Sequence, residues 1–241
     1  MNIVFSRLAG CVILATLFTL SVSSASADTV TSLSLATSQQ AGDEWSIFYS
    51  GRTDTAGTYD YMNAYFDGWV AQPKVYSRNN AWVSPPTGTG WITTTSSGAM
   101  DAPVGLYAYQ IGVGAYDARE TWAFFGSFAI DDGFVGAFLV GKDNSYMLIT
   151  GMPSVVTWTS LSHLPTEGIG ITDLVEGMTY DLVMFTMNAA GPQGFYSNLE
   201  LVKVAPSPAP IPEPATLAIV GLGLAGLGYA RRRQQRRATA A

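Results

Sequence analysis

The 241-residue chain has few of the residues from which disulfides, metal centres and catalytic triads are built. It contains one cysteine, Cys11, and one histidine, His163. A single cysteine excludes an internal disulfide and a thiolate metal site, and a single histidine excludes the usual multi-histidine zinc site. No Gly-x-Ser-x-Gly elbow occurs either, so a serine nucleophile of the hydrolase type has no support. Stability must therefore come from packing.

Positive charge is also scarce outside the C-terminus. Between residues 28 and 211 the chain carries 17 acidic and 6 basic residues, a net charge of −11. A surface of that sign repels phosphate backbones and anionic lipid headgroups. We therefore expect no nucleic-acid partner for this part of the chain.

The first 27 residues have the pattern of a secretory signal peptide. Met1–Arg7 carries one positive charge, Leu8–Leu20 is mostly apolar, and Ala25-Ser26-Ala27 fits the small-x-small cleavage site of signal peptidase. Cleavage after Ala27 would leave Asp28 first. Leu8-Ala9-Gly10-Cys11 also matches a lipobox, but the apolar core follows this cysteine instead of preceding it. We therefore expect export, with Ala25 and Ala27 marking the cleavage site.

The chain ends in four consecutive parts. Residues 205–211 form a Pro/Ala linker, which favours extended polyproline II, and Pro212, Glu213 and Pro214 follow it. Residues 215–230 are uncharged, and the tail 231–237 is basic through Arg231, Arg232, Arg233, Arg236 and Arg237. The uncharged span is shorter than the about 20 residues of a comfortable transmembrane helix, but flanking arginines help a short span fit. We predict a transmembrane helix with a cytoplasmic tail, either a permanent anchor or a segment that is later removed.

The motif, span and tail at 212–237 together resemble the PEP-CTERM sorting signal. The resemblance covers about 30 residues and implies recognition by an exosortase, a membrane-embedded transpeptidase resembling cysteine proteases. Substrates of that enzyme are surface or matrix proteins of Gram-negative bacteria that make exopolysaccharide. The resemblance therefore implies an inner-membrane-anchored precursor that later reaches the cell surface or extracellular matrix.

Residues 28–204 have the pattern of an extracytoplasmic domain with many short strands. Runs rich in Val, Ile, Thr and aromatic residues alternate with Gly, Pro, Asn and Asp, and helix signals are nearly absent. About ten to twelve strands without covering helices predict an all-β fold, an antiparallel β-sandwich of jelly-roll type. Met178–Met187 is predicted to be a central buried strand, and Val155–Leu161 another strand. Asp131-Asp132-Gly133 is predicted to turn a hairpin whose second strand is Phe134–Val140.

Parts of this domain resemble the galactose-binding-like jelly rolls carried by some PEP-CTERM proteins. The resemblance rests on Trp82, Pro85-Pro86, Trp91-Ile92, residues 103–109 and residues 191–195. It implies a non-enzymatic binding or structural module. With the sorting signal, it predicts a surface or matrix protein associated with exopolysaccharide.

Three tryptophans are the candidate carbohydrate contacts. Trp69, Trp82 and Trp91 lie in or beside predicted loops, where flat amphipathic rings can stack on sugars. The same rings can instead close the ends of the sandwich, and we expect at least one of them to do so because tryptophan is highly buried on average.

Asp131, Asp132 and Asp143 are the candidate metal ligands. They lie in two loops that flank one predicted strand, and carboxylate oxygens there suit a structural Ca²⁺ ion. The alternative is ordinary turn chemistry. We expect no other cofactor.

Catalysis has one candidate pair. A glycan-active enzyme needs two carboxylates flanking the sugar, and Asp117 and Glu120 are the acids closest to a strand end. No motif supports them, so we expect no enzyme. Two converging carboxylates in a pocket would favour the enzyme, whereas an aromatic platform would favour binding.

Overall fold

The computed structural model describes residues 28–38, 44–53, 69–131 and 133–206, together with the helix at 214–238. The chain divides into two compact units. One unit, Thr29–Pro206, contains the strands, and the other includes the helix α1, Pro214–Ala238. Asp132, Pro212, Glu213, Ala25 and Ala27 lie outside the described residues.

Thirteen strands occur in the described part of the chain. Their bounds are β1 Thr29–Ser34, β2 Ser46–Tyr49, β3 Val70–Gln72, β4 Val75–Tyr76, β5 Ile92–Thr93, β6 Gly105–Ala115, β7 Thr121–Asp131, β8 Gly133–Gly141, β9 Tyr146–Leu148, β10 Ser162–His163, β11 Ile169–Ile171, β12 Thr179–Asn188 and β13 Gly194–Ala205.

The strands form two sheets in which the pairings are antiparallel. The seven-stranded sheet has the order β10-β7-β13-β5-β4, with β1 also pairing with β13 and β11 with β7. The six-stranded sheet has the order β3-β2-β6-β12-β8-β9. These sheets confirm the all-β class predicted for the domain.

The core lies between the two sheets and is built from alternate residues of the long strands. Trp122, Phe124, Phe128 and Ile130 of β7 are all buried, which is the period-2 pattern of a strand with one face inward. Across the core, Tyr109 of β6 stacks on Phe195 of β13 with ring centroids 4.4 Å apart. Aromatic contacts of this kind join the sheets without any disulfide.

Two strand predictions have different outcomes. β12 lies between β6 and β8 and is buried along most of its length, which confirms the predicted central strand. The predicted hairpin is wrong, because β7 belongs to the seven-stranded sheet and β8 to the six-stranded sheet. Each strand takes a longer partner elsewhere: β7 pairs with β13, and β8 with β12. The chain therefore passes from one sheet to the other between the end of β7 at Asp131 and the start of β8 at Gly133.

The strand predicted at Val155–Leu161 is also wrong, because this segment is a loop. Its hydroxyls bond locally: Thr157 Oγ1 lies 3.3 Å from Thr159 Oγ1 and 3.0 Å from Ser160 Oγ. Such local bonds compete with a strand ladder. His163, the one histidine of the chain, lies in the two-residue strand β10 and pairs with Ser127 of β7.

The C-terminal helix α1 begins at Pro214, a position where proline costs nothing because the first helical N–H has no partner in the helix. It continues through the arginine-rich tail to Ala238. No helix among the described residues is both long and apolar enough to cross a bilayer. The transmembrane span at 215–230 stays a prediction.

Candidate functional site

A surface depression of about 230 Å³ lies where β7 ends, and we call it the Trp82 depression. It is lined by Asn79, Ala81, Trp82, Asp131, Trp158, Ala190 and Pro192. Trp82 is only 3% exposed, whereas Trp158 is 36% exposed. The site therefore combines a buried indole in its wall with an indole ring available to solvent.

The wall of the depression rests on a small aromatic cluster on the outer face of the seven-stranded sheet. Trp82, Trp91, Ala129 and Tyr196 are buried together there. The rings of Trp82 and Trp91 lie 4.5 Å apart, and Trp91 Nε1 donates a hydrogen bond to the Val83 carbonyl at 3.0 Å. The cluster thus anchors the loop that carries Trp82 onto the sheet.

The side chains of Trp82 and Asp131 are joined by a hydrogen bond. Trp82 Nε1 donates to Asp131 Oδ2 at 2.6 Å, and the carboxylate-bearing residue is only 6% exposed. A buried carboxylate is costly unless donors satisfy it, and a hydrogen bond to a charged acceptor is among the stronger ones. The bond therefore stabilises a carboxylate in the lining of the depression and restrains the position of the Trp82 indole.

Gly194 makes room for the Trp82 ring. A Cβ atom at this position would lie 2.7 Å from Trp82 Cζ3 and closer still to Cη2, which is nearer than real Cβ contacts occur. The six-membered ring of the indole therefore lies against the backbone of β13 at a point where any side chain would displace it. This close approach explains glycine at the first residue of a central strand.

Trp158 is held beside Trp82 by the backbone. The Val83 N–H donates to the Trp158 carbonyl at 2.7 Å, which joins the two loops. At the rim, Asn79 Oδ1 accepts from the Ala81 N–H at 3.0 Å, and the Asn79 carbonyl accepts from the Trp82 N–H at 3.0 Å. An aromatic face, an amide and a carboxylate are thus gathered in one concave surface. This combination suits an uncharged ligand rich in hydroxyl groups.

The three predicted carbohydrate contacts do not form one platform. Trp69 packs on Phe185 against the outer face of the six-stranded sheet, with ring centroids 5.9 Å apart. Trp82 and Trp91 are buried in the other aromatic cluster, so they follow the alternative in which such rings close off the fold. Of the three, Trp82 alone reaches the depression.

Trp158 is the residue that sequence reasoning missed. It lies inside Val155–Leu161, where the Val, Trp and Leu residues favour a strand. The available signal was its setting in Thr157-Trp158-Thr159-Ser160, a tryptophan among hydroxyl residues that favour loops.

The predicted calcium ligands are not brought together. Asp131 ends β7 and Asp143 follows β8, so the nine residues of β8 separate them by about 30 Å at ~3.3 Å per residue. Ca²⁺ binds oxygens at about 2.4 Å, so the two carboxylates cannot share one ion. Asp143 Oδ1 instead accepts from the Ser145 N–H at 2.9 Å and its hydroxyl at 2.6 Å, which lowers the Asp143 pKa. The single site predicted across these residues is corrected to turn chemistry at Asp143.

No group of three or more His, Cys, Asp or Glu side chains placed to hold a metal ion occurs in the part of the chain that the structure describes.

The carboxylates considered for catalysis serve the loop before β7. Asp117 pairs with Arg119 at 2.5 Å between Oδ2 and Nη2, and these hydrogen bonds lower the pKa of Asp117 to about 2. Glu120 accepts from Trp122 Nε1 at 2.9 Å. An acid with that pKa is ionised at neutral pH and cannot donate a proton there. Both carboxylates are engaged in local hydrogen bonds that stabilise a surface loop.

Residues 210–234 match the PEP-CTERM protein-sorting motif. The match covers the motif, the uncharged span and the first three arginines, as expected from the sequence. No curated protein sequence matches the chain.

Several solved structures show weak likeness to the chain. A CBM35 module from Cellvibrio japonicus Abf62 is 14% identical over 73% of this chain and 99% of its own, with a TM-score of 0.31. An isomalto-dextranase of Arthrobacter globiformis T6 complexed with panose is 9% identical over 74% and 33%, with a TM-score of 0.29. The infectious bursal disease virus Gx strain structure is 11% identical over 73% and 55%, with a TM-score of 0.24. Scores this low do not establish a shared fold.

Proposed function

We propose that this chain, which carries a PEP-CTERM sorting motif, displays a non-enzymatic jelly-roll domain that binds neutral glycan of the extracellular matrix in the Trp82 depression. The motif implies an exported protein that an exosortase sorts to the surface. Signal peptidase would act earlier, at Ala25–Ala27, and the helix α1 would hold the precursor in the inner membrane until processing.

The observation that supports glycan binding is the exposed ring of Trp158 beside a buried carboxylate. Sugar rings stack on indole faces through their apolar C–H side, while their hydroxyls donate to carboxylate and amide oxygens. Trp158, Asp131 and Asn79 supply these three partners around one depression. Because residues 28–211 carry a net charge of −11, acidic polysaccharides are repelled, and a neutral glycan fits best.

The binding proposal is tested with Trp158→Ala in the exported protein. We expect affinity for neutral polysaccharide from the producing cells to fall about tenfold or more, since loss of one stacking contact is worth about 1.4 kcal/mol. Affinity electrophoresis through polysaccharide-containing gels measures the change. The matched control is Tyr146→Ala, because Tyr146 is 37% exposed but lies on β9 of the other sheet.

Equal retardation of Trp158→Ala and the wild type would show that the depression does not bind the glycan. Equal losses of affinity in Trp158→Ala and Tyr146→Ala would show that removal of any exposed aromatic residue weakens binding, and would contradict a specific site at the Trp82 depression. Only a selective loss at Trp158, with an unchanged Tm, supports the proposal.

The sorting proposal is tested by intact-mass analysis of surface material. Wild-type protein should lack the arginine tail in cells that have the sorting enzyme. Glu213→Ala should leave an uncut precursor in its normal orientation, whereas changing Arg231, Arg232 and Arg233 to Glu should disturb the orientation because cytoplasmic arginines set it. A wild-type surface protein that keeps its tail would identify the segment as a plain anchor.

A further inference from the structure

We propose that the protein self-associates through the outer edge of β1, which pairs antiparallel with β1 of a second copy about a two-fold axis at Ser32. β1 is at the border of the seven-stranded sheet, and within the described residues it pairs only with β13. All six of its side chains are exposed. This inference is independent of the glycan proposal.

The hydrogen bonds just after β1 show which of its backbone groups face outward. The Leu35 N–H donates to the Leu199 carbonyl at 2.9 Å, and the Thr37 N–H donates to the Ser197 carbonyl at 2.8 Å. Odd-numbered residues therefore bond toward β13. Because alternate residues of a strand point their N–H and C=O groups to opposite edges, Val30, Ser32 and Ser34 direct theirs to the open edge.

This edge lacks the features that normally prevent strand pairing. Residues 29–42 contain no charge and no proline. The register of β1 with β13 runs without a bulge from Thr29↔Ala205 to Ser34↔Glu200. Val30 is 63% exposed. Edge strands of monomers usually carry lysine, proline or a bulge, so an edge without them is fit for another strand.

The occupant is a second copy because the edge complements itself. A two-fold axis perpendicular to the sheet places Ser32 opposite Ser32 and Val30 opposite Ser34, so every outward N–H and C=O of these residues finds a partner. An axis at Thr31 would place Ser34 opposite Asp28, outside β1, so fewer of the outward groups would pair within the strand. An axis between Thr31 and Ser32 would oppose residues from different faces, which an antiparallel pair does not allow.

Charge and space also favour a second copy at this place. The acidic domain as a whole repels a second copy, but the paired β1 strands bring no like charges directly opposite each other because Thr29–Ser34 is uncharged. A depression of about 480 Å³ runs beside the strand, lined by Thr31–Leu33, Glu44, Gly112–Gly114 and Lys203. It provides room for the side chains of the arriving strand.

Cysteine cross-linking in the full-length chain tests the axis. The background variant is Cys11→Ser, so that an introduced thiol is the sole one. In the proposed pair the two Ser32 Cα atoms lie about 5.5 Å apart, within the range of a disulfide. The two Thr31 Cα atoms lie about 8 Å apart, beyond it. Thr31→Cys is thus the matched control on the same exposed strand.

After mild oxidation of the exported protein, we expect Ser32→Cys to give at least tenfold more covalent dimer than Thr31→Cys on a non-reducing gel. Ser32→Pro should give a monomer by sedimentation with an unchanged Tm, because the N–H that proline removes is not used in the pairing with β13. Equal cross-linking of the two cysteine variants would overturn the proposal. So would a dimeric Ser32→Pro protein, or a wild-type protein that stays monomeric at ~100 μM.

Discussion

Replacing Gly194 by alanine tests whether the Trp82 depression is built as the structure indicates. The new methyl group would lie 2.7 Å from Trp82 Cζ3 and nearer to Cη2, so the indole has to move. Overpacking of this kind costs about 1–3 kcal/mol. If the ring also leaves Asp131 Oδ2, the lost bond to a buried charge costs a further ~1.5–3 kcal/mol.

We therefore expect Gly194→Ala to lower the free energy of unfolding by about 1–3 kcal/mol if the ring keeps its bond to Asp131, and by about 2.5–6 kcal/mol if it loses that bond. At about 2–4 °C per kcal/mol for a domain of this size, the larger loss would lower the Tm by about 5–24 °C. Urea unfolding followed by far-ultraviolet circular dichroism measures the change without depending on tryptophan fluorescence.

A double-mutant cycle with Trp82→Phe separates the clash from a general intolerance of alanine. Phenylalanine lacks the second ring of the indole, which includes the atoms nearest to the new methyl group. Gly194→Ala should thus cost at least about 1 kcal/mol less in the Trp82→Phe background than in the wild type. An equal cost in both backgrounds would refute the proposed contact between Trp82 and the β13 backbone.

Three further predictions concern the domain as a whole. The Asp117 carboxyl should titrate near pH 2 by NMR, and its pKa should return toward the usual value in Arg119→Gln. As the pH falls, the carboxyl is protonated in the unfolded chain before it is protonated in the folded chain. The pair therefore stabilises the fold above about pH 4, and this stabilisation is lost as the pH falls toward 2. Millimolar Ca²⁺ and a chelator should give the same Tm, because Asp131 and Asp143 lie at opposite ends of β8 and cannot share one ion. A Tm that rises with calcium would contradict this prediction and would indicate a calcium site formed by other residues. Residues 28–206 expressed alone should unfold cooperatively with a Tm unaffected by reductant, since no cysteine follows Cys11; a non-cooperative transition would contradict a self-contained domain.

The fold class was readable from the sequence because the signals for long strands are local. The alternation of apolar residues in β7 and the apolar run of β12 identify both strands from their own residues. The start of α1 is marked locally by Pro214, its first residue. Pairing is not local. Asp131-Asp132-Gly133 has the composition of a hairpin turn, but the partners of β7 and β8 lie far away in the chain. Turn residues show that the chain reverses direction, not that the flanking strands bond to each other.

The candidate site was only partly readable for the same reason. Trp82 and Asp131 are each recognisable as candidates, but their hydrogen bond joins residues 49 positions apart. Nothing in either segment indicates it. In the sequence Gly194 has the appearance of an ordinary strand boundary, and only the structure shows that the Trp82 ring occupies the space of its missing side chain. Trp158 was missed because one aromatic residue among Val and Leu favours a strand, and local hydroxyl bonding decided otherwise.

The crossing of the chain between sheets at Asp131–Gly133 also sets when the domain can fold during secretion. β1 and β7 have their long partner in β13, and β6 and β8 have theirs in β12, so four strands depend on residues 179–205. If the chain is exported N-terminus first, as proposed, these residues would be the last of the domain to leave the export channel. The earlier strands would then cross before their long partners are available. Folding would begin only when β13 has emerged, just ahead of the sorting motif.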